Sequence, residues 1–519
     1  MADVNGGAPE PQSATTQRSW AWTFLRRLPG QLLGRNPFQG DCLPAPIPLF
    51  SLRDRRPSLP FPHPWNYREP IQILDTYFHG ADTVEGPGRH NRYLNVIGFP
   101  PVLVTRDPGI IRAITTDTGD RPGQFDRDTL PSTGIARATG RDTLLFSNGP
   151  LWRHQRRLAA SPFGKTTLFQ PEMFQEFELT FRRTVSERLA ALTRLLERTH
   201  QTTLEVVIEP EIKVIMLEML VNNFFGADVC YQDLRDIHVP AIERLIDHIV
   251  RDTVINRAGV PLRILPGMSQ RLRQARADFA TFEQLTSLVL ATRQEGRGLW
   301  KQFRSEAPDA ALRSNVKVFL AGALEATTSY ACWAISHLAR NPDAQEKVFA
   351  DVQHVESYSP DNLNNAGYLH RALEETLRLT PSLYFLPRRA TQDTWVQTSD
   401  GRRMMIPAGT HVLLDVWHAN RHEDHWGMAA TGFPALKFAP ERWDVLASKG
   451  VHSKDMLHFG FGHGPRVCPG KHLGQLEVGL VVGSFVKKFR FHAVHQENPE
   501  RAGVSTKPRD GVLLNLQLR

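Results

Sequence analysis

Cysteine is scarce in this sequence, with four among 519 residues: Cys42, Cys230, Cys332 and Cys468. They lie far apart and none forms a Cys-x-x-Cys pair, which excludes a disulfide framework and a cysteine-built zinc site and fits a reducing compartment. Long runs of one charge are also missing. The 62 lysines and arginines are dispersed among 54 acidic residues, so the net charge of +8 describes a solvated surface rather than a nucleic-acid footprint. There is no Gly-x-Gly-x-x-Gly loop and no four-cysteine cluster, so no flavin, nucleotide or iron–sulfur module is visible. No internal repeat of roughly 20–50 residues occurs, which argues against a solenoid.

No segment reaches the roughly 20 apolar residues that cross a bilayer. The first 19 residues are rich in Gly, Pro, Ser, Thr and Gln, as a disordered tail is. Trp20-Ala21-Trp22-Thr23-Phe24-Leu25 runs into Arg26, Arg27 and Pro29, too short and too charged for a span or the core of a signal sequence. With Leu32 and Leu33 it could instead rest on a membrane surface as a peripheral contact. The expectation is a cytoplasmic monomer with no nucleic-acid partner and no transmembrane span. No Gly/Ser-rich or Pro-rich linker interrupts the chain after about residue 60. Residues 1–59 are therefore expected to be a partly disordered lead-in and 60–519 a single domain with a sizeable core.

What is present is concentrated around one of the four cysteines. In Phe461-Gly462-His463-Gly464-Pro465-Arg466-Val467-Cys468-Pro469-Gly470, the glycines permit tight turns and close approach to a flat ligand, and Pro465 and Pro469 stiffen the loop. Leu473, Leu476, Leu480 and Val481 follow at helical spacing. Cys468 is thus expected at a helix N-terminus with its sulfur exposed, where the macrodipole and Arg466 would lower its pKa and favour a metal-binding thiolate.

Phe461, Gly462, Gly464, Arg466, Cys468 and Gly470 together resemble, without a gap, the haem-ligand loop of the cytochrome P450 family. The resemblance implies that Cys468 ligates haem iron, that Arg466 pairs with a haem propionate and that Phe461 packs near the sulfur. It implies haem b as cofactor. A thiolate ligand favours O–O cleavage, which suits oxygen activation.

Other patterns bear on that resemblance. Residues 93–105 read as a β-hairpin, about 110–380 as mostly helix and 383–415 as strands with turns at Ser399-Asp400-Gly401 and Pro407-Ala408-Gly409. The expected class is mainly α with a small β-rich subdomain, which resembles the cytochrome P450 fold. In Trp152-Arg153-His154-Gln155-Arg156, Trp152 and Arg156 share a helix face at i,i+4; in the family this pattern binds haem propionates. Glu375 and Arg378 are i,i+3 neighbours at the margin of an apolar stripe, and the resemblance makes Arg442 their third partner in a structural triad. Arg388, seven residues past Pro381, matches a family position that reaches a propionate.

From about Ala310 to Arg340 a helical stretch ends at Asn341-Pro342. Gly322 at its centre suggests close approach by a flat ligand or a local kink. The stretch resembles the family's oxygen-side helix, in which an acid followed by threonine delivers protons. Glu325 matches the acid, but Ala326 stands at the threonine position, with Thr327 and Thr328 after it; the expected catalytic residues are Glu325 and Thr327. Phe319, Leu383, Tyr384 and Phe385 are expected to line an apolar cavity. The loop from Thr116 to Leu145, with Arg121, Gln124, Phe125 and Arg127, would cover it, its arginines read as solvated charges. Arg153, Arg157, Lys165 and Lys471 would form a docking face for an acidic electron-transfer partner.

The implied activity is that of a haem-thiolate monooxygenase. It would insert one atom of O2 into a C–H or C=C bond of a hydrophobic small molecule, with electrons from NAD(P)H through a separate ferredoxin, flavodoxin or flavoprotein reductase. Ala326 motivates an alternative that uses peroxide or rearranges an oxygenated lipid without a redox partner. A non-catalytic haem-based binding or sensor protein is the alternative from another class.

Overall fold

The computed structural model describes residues 29–30, 33, 35–40, 42–44, 70–78 and 87–519, less 95–99, 119–123, 129–132, 141, 200–201, 256–267, 299–308, 356–366 and 452–457. The aromatic segment 20–25, Leu32 and Arg121 lie outside the described residues.

Six strands form the largest sheet: β1 (Leu43–Pro44), β2 (Asn91–Leu94), β3 (Val102–Thr105), β4 (Phe125–Arg127), β6 (Phe385–Ala390) and β9 (His411–Asp415), in the order β1-β2-β3-β9-β6-β4. β2 and β3 make the hairpin expected at 93–105, with Asn91 opposite Thr105 and Leu94 opposite Val102. β3 then pairs in parallel with β9, and β9 antiparallel with β6. The sheet is therefore assembled from early and late segments. The unbroken apolar run Val102-Leu103-Val104 follows from burial on both faces. Leu103 packs among Ile110, Ile111 and Val412, while Val102 and Val104 face Leu74, Tyr77 and Trp417.

Smaller sheets complete the β structure. β7 (Thr394–Gln397) and β8 (Arg403–Ile406) form a hairpin, as do β11 (Glu500–Ala502) and β12 (Thr506–Pro508). β5 (Leu204–Val207), β10 (Phe489–Ala493) and β13 (Leu513–Leu518) form a three-stranded sheet.

Helices build the rest. α1 (Gly149–Ala160), α2 (Pro171–Thr199), α3 (Glu209–Glu218), α4 (Asp309–Arg340), α5 (Gly367–Leu379) and α6 (Lys471–Lys488) frame the site described below. α4 runs through the main core, where Val316, Leu320, Leu324, Ala331 and Ile335 are buried. Pro342 opens the following helix, so Asn341-Pro342 ends α4 as the sequence predicts. By length and composition Ala311–Arg340 is apolar enough to cross a membrane, contrary to the expectation that no segment would be. It is 67% buried inside the protein, which is how the central helix of a core passes that test.

Glu375, Arg378 and Arg442 are fully buried. Glu375 accepts from Arg378 Nε and Nη2 at 2.9 and 2.8 Å and from Arg442 Nε at 3.2 Å. The arginines' remaining donors reach backbone carbonyls, among them Asn420 at 2.8 Å from Arg378 and Pro434 at 2.9 Å from Arg442. Two cations with one carboxylate persist without water because carbonyl dipoles take up the excess charge.

Candidate active site

The Cys468 loop is a rigid turn leading into α6. Its backbone closes through Val467 N–H to Gly464 O (3.0 Å), Cys468 N–H to Phe461 O (2.9 Å) and Gly462 N–H to Phe459 O (2.9 Å). Gly464 has φ +69°, and a Cβ there would meet Thr115 O at 2.2 Å, so both the conformation and the space require glycine. Phe461 sits edge-on to Tyr330 of α4 at 6.2 Å and close to Gly474 of α6.

Cys468 has open surface although it lies deep among protein atoms, as a side chain facing an internal cavity does. Burial raises its thiol pKa; hydrogen bonding from the Gly470 N–H and the charges of Arg156 and Lys471 lower it, and burial wins. Two expectations are thereby corrected. The helix terminus alone does not make this a thiolate, and the cations acting on the sulfur are Arg156 and Lys471 rather than Arg466. Arg466 turns away, its Nη2 donating to Ser147 O at 2.8 Å and Asn148 Oδ1 at 2.6 Å.

Near Cys468, four arginines gather with two carboxylates, Asp126 and Asp128, acting on them. Arg156 of α1 donates to Val467 O at 2.8 Å, and the guanidinium of Arg466 lies over the buried Trp152 ring at 4.7 Å. Arg388, almost fully buried on β6, stands directly opposite Arg127 on β4 in the strand register. Like charges facing across a ladder are destabilising. The Nε atoms of Arg127, Arg388 and Arg466 are all buried without a partner. Burial, with repulsion from neighbouring arginines, pushes the guanidinium pKa of Arg388 well below its ordinary value and that of Arg466 to about 9, against the pull of Asp126; burial pushes Arg127 to about 10, against the pull of Asp128.

Such an arrangement fits an absent dianion. Haem meets the description: iron for the Cys468 sulfur, two propionates for the unmatched arginines, and a flat ring for the open space beside Gly322, where a Cβ would meet nothing within 4 Å. Arg127 is the member that the sequence reading missed, having been assigned to solvated loop charge. Its pairing with Arg388 joins residues 261 positions apart, and no local signal announces it.

On the other side of the cavity, Glu325 is buried in an ion pair with Lys507 of β12 at 2.8 Å and accepts from Ser505 Oγ at 2.7 Å. Thr327 Oγ1 donates back to Ala323 O at 2.6 Å, and its methyl group faces Gly474 of α6. Ser382 Oγ donates to Ala326 O at 3.0 Å. The expected pair is therefore not brought together: Glu325 reaches toward the β11–β12 hairpin, while Thr327 is committed to its own helix.

The apolar lining also differs from expectation. Tyr384 and Phe385 pack against Trp417 and Leu413 in the sheet's core, and Phe319 stacks edge-on with Phe163 at 4.9 Å. Of the four, Leu383 alone is exposed, at 39%. Of the four residues expected to form a docking face, Arg153, Arg157 and Lys165 are exposed and Lys471 is half-buried.

A family model described as cytochrome P450 matches residues 93–514. The chain is 26% identical over 428 residues to cytochrome P450 76A2 of Solanum melongena, covering 75% of this chain and 79% of that protein. It is 27% identical over 263 residues to geraniol 8-hydroxylase of Catharanthus roseus, covering 49% and 48%. With zealexin A1 synthase of Zea mays it shares 25% identity over 453 residues, covering 81% and 84%.

Proposed function

Because this chain belongs to the cytochrome P450 family of monooxygenases, we propose that it binds haem b through Cys468 and inserts one oxygen atom from O2 into a C–H or C=C bond of a hydrophobic small molecule. Electrons would come from NAD(P)H through a separate partner docking at Arg153, Arg157 and Lys165. The observation that carries this reading is the convergence of a cavity-facing cysteine with three arginines whose buried Nε atoms have no partner.

Bound haem supplies the oxygen chemistry, its thiolate ligand favouring O–O cleavage. The chain's own residues do the rest. Arg156, Lys471 and the Gly470 N–H support negative charge on the Cys468 sulfur. Arg388, Arg466 and Arg127 hold the two carboxylates, with Trp152 fixing the Arg466 plane. Phe461 packs between the loop and Tyr330 of α4.

Proton supply follows from the buried pair. Lys507 Nζ donates to Glu325 Oε1 at 2.8 Å and Ser505 Oγ to Oε2 at 2.7 Å. Beyond them Glu209, bonded to the half-exposed Arg501 at 2.7 Å and to Lys213 at 2.6 Å, leads toward the surface. In this reading Glu325 is the proton carrier, and Thr327, whose hydroxyl is engaged, positions α4. The methyl of Ala326 favours the second reading, peroxide use or rearrangement without a redox partner.

The test is the spectrum of the reduced protein with carbon monoxide. Wild type should show the red-shifted Soret band of a thiolate ligand and Cys468→Ala should lose it; a histidine-type band unaffected by the substitution overturns the assignment. O2-dependent NADPH consumption with a supplied reductase then separates the main reading from the partner-free one.

A further inference from the structure

Away from the Cys468 cavity, three histidines meet where the turn Pro87–His90 touches the helix Glu423–Trp426. One ring nitrogen of each of His90, His422 and His425 lies within 4.8 Å of those of the other two. The ring centroids are 4.6 Å (His90–His422), 5.7 Å (His90–His425) and 5.7 Å (His422–His425) apart. His90 is 8% exposed, and its Nδ1 is buried without a partner; so is Nε2 of His425. Two orphaned ring nitrogens in one cluster are costly unless something occupies the space between them.

We propose that His90, His422 and His425 bind a divalent first-row transition ion, for which zinc is the natural probe. Each ring would offer one nitrogen: Nδ1 of His90, its ring proton passing to the Nε2 that now accepts from Arg89 Nε at 3.2 Å, Nε2 of His425, and Nδ1 of His422, whose lone pair now accepts from Asp424 N–H at 3.2 Å. The carboxylate of Asp424 stands behind two of the rings, 3.5 Å from His90 Nε2 and 3.6 Å from His422 Nδ1. The same carboxylate is paired with Arg89. Zinc takes imidazole nitrogens at about 2.0–2.1 Å and leaves a fourth position for water, so the rings must draw together, with half-buried His425 the freest to turn.

The charges suit a cation held by neutral ligands. Arg89 and Arg106 face the cluster, and so do Asp424 and Asp107, two of each sign. A surface cavity of about 530 Å³, lined in part by Arg89, His422 and Asp424, gives a hydrated ion access. The bound ion would clamp the start of β2 to the segment whose Trp426 carbonyl accepts from Arg442.

The test uses the haem-loaded protein, stripped with a chelator, equilibrated with micromolar ZnCl2 and desalted, with zinc measured against haem iron. Wild type and the exposed-site control His354→Ala should retain about one zinc per iron. His90→Ala and His425→Gln should each bind roughly tenfold or more weakly, while their carbon monoxide spectra stay like wild type's. If His90→Ala does not fold, His425→Gln carries the test. Full zinc retention in the histidine variants, or none in wild type, overturns the proposal.

Discussion

Among the described residues, the arginines around Glu375 and those near Cys468 differ in one respect. Arg378 and Arg442 share Glu375 and spend their remaining donors on backbone carbonyls. Arg127, Arg388 and Arg466 gather with Asp126 and Asp128 nearby but no carboxylate hydrogen-bonded to them, and each keeps a buried Nε without a partner. The first cluster is complete and therefore structural. The second is complete only with an anionic ligand, and the incompleteness marks the site.

The comparison breaks most sharply at Arg378. Arg378→Met should destabilise the protein by roughly 3–5 kcal/mol, because it leaves Glu375 underpaired in a water-free pocket. The expected readout is a lowered unfolding midpoint in the presence and absence of haem alike, with little haem-loaded protein recovered. A variant as stable as wild type would mean that the triad is not what holds α5 to the Arg442 segment.

The same substitution at Arg388 should have a sign that depends on the ligand. Without haem, Arg388→Met removes a buried cation facing Arg127 and replaces it with apolar volume, a change expected to stabilise by about 1–3 kcal/mol. With haem it removes a propionate partner, so haem should be lost faster on dilution. Unfolding midpoints of haem-depleted and haem-loaded protein check both halves. Destabilisation of the haem-depleted form would show that Arg388 serves the fold.

Much of this was legible in the sequence, for a physical reason. The turn of the Cys468 loop and the Glu375–Arg378 pair are local, their spacing set by one turn or one helix face. What the sequence hid is long-range. Arg127 opposite Arg388 depends on the register of β4 with β6. Lys507 against Glu325 depends on where the β11–β12 hairpin lands. Tyr384 and Phe385 read as cavity residues because alternation along a strand tells which residues share a face but not which face is the core. The thiol of Cys468 read as a thiolate because the helix dipole is visible in sequence and the burial that outweighs it is not.

A third buried group sharpens the contrast from the acidic side. Glu477, on α6 nine residues past Cys468, is 2% exposed, its Oε1 has no partner, and burial alone pushes its carboxyl up to about 8. Where Glu375 has two guanidinium groups, Glu477 has none, and it keeps its proton instead. The native state then binds more protons than the unfolded chain between the ordinary carboxyl pKa of about 4.3 and about 8, so Glu477 lowers stability progressively as pH rises through that window. Glu477→Gln should flatten the slope, raising stability by roughly 4 kcal/mol at pH 8 and by only about 1 kcal/mol at pH 5. Denaturant unfolding at the two pH values measures the difference. An equal gain at both would mean that the carboxyl's packing, not its charge, is what the glutamine relieves.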